Sequence, residues 1–361
     1  MHIGLVIYGS LDQLSGGYLY DRRMVEYMRE QGDTVEIVSL PTRSYIGNLL
    51  DNFDRVLLRR LINTPFHVLV QDELNHPSLF RLNRRLRRHV KYPIVAIVHH
   101  LKSSEQRPAW QNTIYGMIER RYLTSLDGFI FNSATTKGVI EELVGSERPS
   151  VIAYPGGDRL GVTLNTEQIR ARAYEPGPLR IFFLGNIIPR KGLHTLLDAL
   201  AQLPTGSWML TAAGSLDADR DYAVSIQSQI ERLHIADQVS LPGPLSGETL
   251  IEQLKRHHVL AMPSSYEGFG IAYVEGMAFG LPPIGTTQGA ARELIMHGEN
   301  GFLIEPGDSD HLAEYLEILI VNRERLAAMS LAARQCFDQC PTWDQSAAAA
   351  REFLRSIIGQ T

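Results

Sequence analysis

The chain has 361 residues, 44% of them hydrophobic and 21% charged, and a formal net charge of −5. That length exceeds one ordinary core and points to two domains, while the composition is that of a soluble globular protein and excludes a collagen-like or low-complexity chain. No apolar stretch is long enough to span a bilayer, and two cysteines are too few for a disulfide scaffold.

The first apolar run, Ile3-Gly4-Leu5-Val6-Ile7-Tyr8, has no basic segment or cleavage site before it. It reads as a buried strand rather than a leader, so a cytoplasmic protein is expected. Further strand-like runs lie at 34–39, 66–71, 93–98, 128–132 and 150–154, with helical patterns at 18–31, 79–90, 109–125 and 134–144. Pro155-Gly156-Gly157-Asp158 and Glu175-Pro176-Gly177-Pro178 then break the pattern. The polar stretch 158–178 reads as a linker between a first domain, 1–157, and a second, 179–341. In the second domain, strand-like runs fall at 179–184, 207–213, 237–241, 258–262, 282–285 and 302–304. Its helical patterns cover 191–202, 220–233, 246–255, 271–279, 289–296 and 309–319, followed by Ala-rich helices at 323–338 and 343–358. Strands alternating with helices are the signature of parallel βαβ units. The expected fold class is therefore α/β, with two Rossmann-like doubly wound domains.

Charge is unevenly spread. Residues 1–160 hold 20 Lys and Arg against 17 Asp and Glu, and the remainder 15 against 23. Much of the first figure comes from Arg81-Leu82-Asn83-Arg84-Arg85-Leu86-Arg87-Arg88-His89-Val90-Lys91. With Leu79 and Phe80 it forms a basic amphipathic segment, either a solvated surface helix or a peripheral contact with the inner face of a membrane or an anionic acceptor. Nucleic acid is not an expected partner, because no aromatic residues interleave with the basic ones. Asp217-Ala218-Asp219 and Asp308-Ser309-Asp310 imitate metal-binding D-x-D triplets, but each precedes a helical pattern and reads as a cap. No metal site is predicted. Cys336 and Cys340, one helical turn apart with no other ligand type beside them, read as reduced thiols.

The most informative segment is Tyr266-Glu267-Gly268-Phe269-Gly270-Ile271-Ala272-Tyr273-Val274-Glu275. It places Glu267 on a strand-to-helix turn and Glu275 about two turns into the helix, so each carboxylate could accept hydrogen bonds from a polyol. The glycines allow close backbone approach, and the free N–H groups of the helix start favour anionic or hydroxyl-rich ligands. Three other strand ends suit the same chemistry. Gly16-Gly17 opens a helix after the first strand, where backbone N–H groups can point at a phosphate. Arg190 and Lys191 follow the first strand of the second domain as a diphosphate clamp. His99 ends the fourth strand, at the carboxyl edge where open α/β sheets bind ligands, with His100 beside it.

The Glu267–Glu275 segment resembles the E-x7-E motif of retaining glycosyltransferases of GT-B architecture, glycosyltransferase family 4. Further segments are similar to the family in order: Asn132-Ser133, Gly185-Asn186 through Lys191-Gly192, Thr211 to Gly214, Leu241 to Leu245, Gly289 to Glu293 and Asn300 to Ile304. The resemblance implies two domains facing across a cleft, with the final helix, about 342–361, packing back on the first. It implies metal-independent transfer from a UDP- or GDP-linked sugar, with no cofactor, to a glycan, lipid-linked or small-molecule acceptor in glycan or glycolipid synthesis. By the same resemblance His99 contacts the transferred sugar, and Glu267 with the N–H groups of Phe269 and Gly270 holds it. Glu275 holds the ribose, the loop of Gly243 borders the nucleobase, and Gly16, Gly17, Arg190 and Lys191 meet the diphosphate. Asn186 stands where relatives carry Arg. The alternatives are a nucleotide-sugar epimerase of related plan and a non-catalytic nucleotide-binding relative.

Overall fold

The computed structural model describes residues 1–359 other than Leu14, Gln106, Ser146 and Val162. It comprises two compact units, Met1–Pro155 with Trp343–Thr361, and Gly156–Thr342.

The N-terminal unit is built on six parallel strands: β1 (His2–Tyr8), β2 (Thr34–Leu40), β3 (Val68–Asp72), β4 (Ile94–Val98), β5 (Gly128–Phe131) and β6 (Ser150–Ile152). Their order in the sheet is β2-β1-β3-β4-β5-β6. Every residue of β3, β4 and β5 is buried, as expected of a parallel sheet covered on both faces. The covering helices are α1 (Gly16–Glu30), α2 (Tyr45–Asn48), α3 (Arg55–Asn63), α4 (His76–Leu79), α5 (Leu82–Leu86), α6 (Ala109–Leu123) and α7 (Ala134–Val144). Local chemistry sets several boundaries. Ser133 caps α7 by accepting from Thr136 N at 3.0 Å, and Gly145 ends it with φ 70°. The single helix expected over 79–90 is two short ones, α4 and α5. Leu79, Leu82 and Leu86 are fully buried, so their demand for the core, rather than helical periodicity, set the local path.

The second unit also has six parallel strands: β7 (Leu179–Leu184), β8 (Trp208–Ala213), β9 (Val239–Gly243), β10 (Val259–Ala261), β11 (Pro283–Thr286) and β12 (Phe302–Ile304), in the order β12-β11-β10-β7-β8-β9. Its helices are α8 (Thr166–Ala173), α9 (Leu193–Leu200), α10 (Arg220–Arg232), α11 (Gly247–Arg256), α12 (Ile271–Ala278), α13 (Ser309–Val321) and α14 (Arg323–Gln339). Helix α8 lies in the stretch read from sequence as a linker. A capping box holds its start, Asn165 Oδ1 accepting from Gln168 N and Gln168 Oε1 from Asn165 N. Where a helix was expected at 289–296 there is a 3-10 turn, Ala290–Glu293, because the preceding chain is pinned by Ala290 N donating to Glu267 O at 2.8 Å. Asp219 and Asp308 of the D-x-D triplets cap α10 and α13, accepting from Tyr222 N and His311 N.

The last helix, α15 (Trp343–Ile358), belongs to the N-terminal unit. Its Trp343 ring lies edge-on to Tyr20 of α1 at 5.9 Å, and Arg351 Nε reaches Asp33 Oδ2 at 2.6 Å. Trp343, Ala347, Ala350, Leu354 and Ile357 are all buried.

Candidate functional site

In the second unit, read from the other edge, the strand order becomes β9-β8-β7-β10-β11-β12. The chain runs outward from β7 in one direction and then outward from β10 in the other. The crevice between the carboxyl ends of β7 and β10 is thus the topological switch point, where open α/β sheets bind ligands. The sequence sends its cations and its first carboxylate there. Pro189–Lys191 forms a 3-10 turn after β7, and the loop after β10 carries Ser264 to Gly270.

Lys191 Nζ lies 2.5 Å from Glu267 Oε1, Ser264 Oγ donates to the same oxygen at 2.7 Å, and Arg190 Nη1 stands 4.0 Å away. Arg190 is itself held by the carbonyl of Tyr266 at 2.9 Å. Burial alone would raise the Glu267 pKa. The charges of Lys191 and Arg190, with the hydrogen bonds from Lys191 and Ser264, outweigh it and hold the carboxyl at about 2. Lys191 moves down, because burial and the neighbouring Arg190 together exceed the pull of Glu267. Glu267 is thus held as an anion in a mostly dry place, with the Lys191 amine against it. Gly192 permits the turn: its φ is 73°, and a Cβ there would sit 2.1 Å from Pro263 O on the β10 loop.

The second carboxylate is held differently. Gly270 precedes helix α12 as its cap, and its φ of 99° and closeness to the Tyr273 ring exclude a side chain. Glu275 is buried beyond it and receives Arg159 Nε at 2.7 Å and Arg159 Nη2 at 2.6 Å. Burial pushes its pKa up and Arg159 opposes that shift. Sequence reasoning missed Arg159, because it lies in the stretch read as a linker and only the fold brings it to residue 275. Phe269 is buried. Asn186, where an arginine was expected, shapes the turn: its Oδ1 accepts from Ser215 N at 3.4 Å and its main-chain oxygen from Ile188 N at 2.9 Å. Gly243 closes β9 with φ 81°, and its carbonyl accepts from Gly214 N at 3.0 Å.

The N-terminal unit has its own switch point, between β1 and β3. Gly16 and Gly17 open α1 beyond β1, with Ser15 as the cap. A Cβ on Gly17 would lie 3.2 Å from His99 Cδ2, so this glycine gives the imidazole its room. His99 follows β4 and is buried; its Nε2 is 3.3 Å from Asp21 Oδ1, and its ring meets Tyr20 edge-on at 5.2 Å. Burial would lower the His99 pKa. The hydrogen bond and charge of Asp21, helped by Asp72 and Glu73, raise it instead to about 9. Burial pushes Glu73 up to about 8, and Asp72 shifts the same way with Asp21 adding to it. Asp21, Asp72 and His99 bring ligand-type atoms within 4.8 Å of one another, as do Glu73, His76 and Glu119. His99 pairs with Asp21, and Glu119 accepts from Lys102 N, Ser103 N and Ser103 Oγ, while Asp21 Oδ2, Asp72 Oδ2 and Glu73 Oε2 are buried without a hydrogen-bond partner among the described residues. We assign no metal to either set. His100 turns to Glu105 at 3.1 Å.

Residues 165–336, nearly all of the second unit, match the family model described as glycosyl transferases group 1. The GDP-mannose-dependent alpha-(1-6)-phosphatidylinositol monomannoside mannosyltransferase of Mycobacterium tuberculosis is 28% identical over 186 residues, 48% of this chain and 46% of that protein. The alignment thus spans about half the length of that relative. The D-inositol 3-phosphate glycosyltransferase of Nocardia farcinica is 23% identical across 88% of this chain and 80% of its own. Among solved structures, sucrose-phosphate synthase from Thermosynechococcus elongatus superposes with a TM-score of 0.83 at 18% identity, over 100% of both chains. HepE of Anabaena, in complex with UDP and glucose, gives 0.77 at 20% identity, over 98% of this chain and 99% of that one. The fold is the GT-B architecture, with two Rossmann-like α/β domains, and the C-terminal unit carries the group 1 glycosyltransferase pattern.

Proposed function

We propose that the chain is a glycosyltransferase that moves a sugar from a nucleoside-diphosphate sugar, UDP- or GDP-linked, to an acceptor hydroxyl with retained anomeric configuration. The observation that carries this reading is the Lys191–Glu267 pair at the β7/β10 switch point, inside the segment that matches the group 1 family. The bond from the anomeric carbon to the diphosphate breaks, a bond to the acceptor oxygen forms on the same face, and the leaving phosphate oxygen takes the acceptor proton. Negative charge grows on the diphosphate, and Lys191 and Arg190 offset it. Glu267 and the N–H groups of Phe269 and Gly270 hold the sugar. Glu275 holds the ribose hydroxyls, the loop of Gly243 borders the base, and Gly16, Gly17 and His99 serve the diphosphate and the transferred sugar. The reading is metal-independent: in the D-x-D triplets Asp219 and Asp308 cap helices, Asp217 accepts from Arg220 and Asp310 from Gln202. The relatives' names support it: one mannosyltransferase is named as GDP-mannose-dependent, and HepE is in complex with UDP and glucose.

The test is a thermal-shift panel with UDP, GDP, ADP and their sugars, each with and without EDTA. One nucleotide should stabilise the chain regardless of EDTA; a ligand at a hundred times its Kd contributes about 2.7 kcal/mol. Glu275→Ala should abolish that shift, and Glu267→Ala should keep it while losing sugar transfer. Equal loss of nucleotide affinity in both variants contradicts the assignment, and an inverted anomeric centre in the product, read by NMR, contradicts retention.

A further inference from the structure

Residues 81–91 contain six Lys and Arg and no acid. Their apolar members Leu82 and Leu86, with Leu79, are fully buried, so this segment presents cations outward and no greasy face. Arg81, Arg84 and Arg85 join Asn52, Phe53 and Arg55 in lining a groove of about 480 Å³. Asn52 fixes its floor, accepting from Arg81 N at 2.8 Å and donating to Pro77 O at 2.7 Å, while its carbonyl accepts from Arg85 Nη1 at 3.0 Å. The Arg81 guanidinium lies 5.3 Å over the Phe53 ring. Neighbouring cations have acidic partners, Arg43 with Asp51, Arg60 with Glu36 and Arg87 with Asp127. Among the described residues, none of the four groove arginines has one.

The stretch that contributes Phe53 to this groove also exposes apolar side chains. Ile46 is 77% exposed, Leu50 69%, Phe53 60% and Val56 78%. Single exposed apolar residues are ordinary, but four within eleven positions, on consecutive short helices, are a feature that a partner would explain. Leu50 and Phe53 share one face of the 3-10 helix Leu49–Phe53, where residues three apart eclipse. Phe53 belongs both to the groove and to these four.

We propose that this surface docks on a membrane face bearing anionic phospholipid, with lipid phosphates on the groove arginines and Ile46, Leu50, Phe53 and Val56 entering the headgroup layer. A planar guanidinium binds a phosphate diester in two-point fashion. Protruding apolar tips ringed by cations are the interfacial pattern, in which area burial and charge attraction add. A nucleic acid would need a row of stacking aromatics, and the groove has only Phe53. The inference requires nothing of the transfer reaction.

The experiment is co-sedimentation of the full chain with phosphatidylcholine vesicles, with and without phosphatidylglycerol, over a salt series. Binding should need phosphatidylglycerol and weaken with salt. It should fall about fivefold for each arginine removed in Arg81→Ala and Arg84→Ala. Leu50→Ser with Phe53→Ser should weaken it severalfold and leave the salt slope unchanged. Arg220→Ala with Arg232→Ala, on the other unit, should change nothing. Thermal midpoints equal to the parent's confirm that each variant folds. Absence of binding at low salt, or an equal loss in the Arg220/Arg232 variant, overturns the proposal. So does a silent apolar pair combined with competition by inorganic phosphate, which would make the groove a free-anion site.

Discussion

At the scale of single residues, the two carboxylates of the Glu267–Glu275 segment are both buried and are held by opposite means. Glu267 is kept ionised by two cations and a hydroxyl. Its contribution to stability is present above the unfolded carboxyl range near 4.5 and is lost as pH falls toward about 2. Glu275 depends on one partner. Arg159→Ala would leave a buried carboxyl without its partner, and the cost should be about 2 kcal/mol in urea denaturation, below the full penalty because Arg159 is 24% exposed. The spacing of residues 267 and 275 is plain in the sequence; Arg159, 116 positions away, is not, because no periodicity links it to α12. His99 works in the other direction. Its folded pKa of about 9 lies above the unfolded value of 6.5, so its stabilisation is complete below about 6.5 and is lost as pH rises toward 9. The groups facing it are Asp21 from α1 and Asp72 and Glu73 from the end of β3. Asp21→Asn should move the His99 titration markedly down, read from its imidazole Cε1 signal by NMR. An unmoved titration would rule out Asp21 as the controlling partner.

At the scale of elements, each turn that shapes the site is a place where one loop leans on another. Gly192 is the clearest case, since its positive φ and its contact with Pro263 O both require the absence of a side chain. Gly206 has a similar φ of 82° but nothing within 4 Å. Gly206→Ala should therefore cost about 1 kcal/mol, the backbone preference alone, whereas Gly192→Ala should cost at least about 1–3 kcal/mol more through crowding and strain. Comparing the two midpoints in denaturant separates the effects. The Lys191-Gly192 pair was legible as a motif, but its reason, the neighbouring β10 loop, was not. The same limit explains α4 and α5. Residues 79–90 have helical periodicity and a basic face, yet the core drew Leu79, Leu82 and Leu86 inward in two short turns. Likewise Ala290–Glu293 is a 3-10 turn because Glu267 holds its start.

At the scale of the whole molecule, α15 returns to the N-terminal unit after the complete second unit has been made. A chain ending at Thr342 would expose the face of α1 that α15 covers, Tyr20 included. That truncation should lower the melting temperature of the N-terminal unit and speed its proteolysis. The nucleotide-dependent thermal shift of the second unit should persist. The sequence by itself determined the two α/β domains, most of their strands, the caps at Asp219 and Asp308, and the positions of Lys191, Glu267 and His99. Those follow from local rules: apolar runs bury as strands, short polar side chains satisfy helix starts, and strand ends carry the chemistry. Only the tertiary structure decided the β7/β10 switch point, the Arg159 partner of Glu275, the Asp21 partner of His99, and the arginine groove beside Phe53. Each joins residues distant in sequence, and such contacts depend on how the sheets order their strands, which no local pattern encodes.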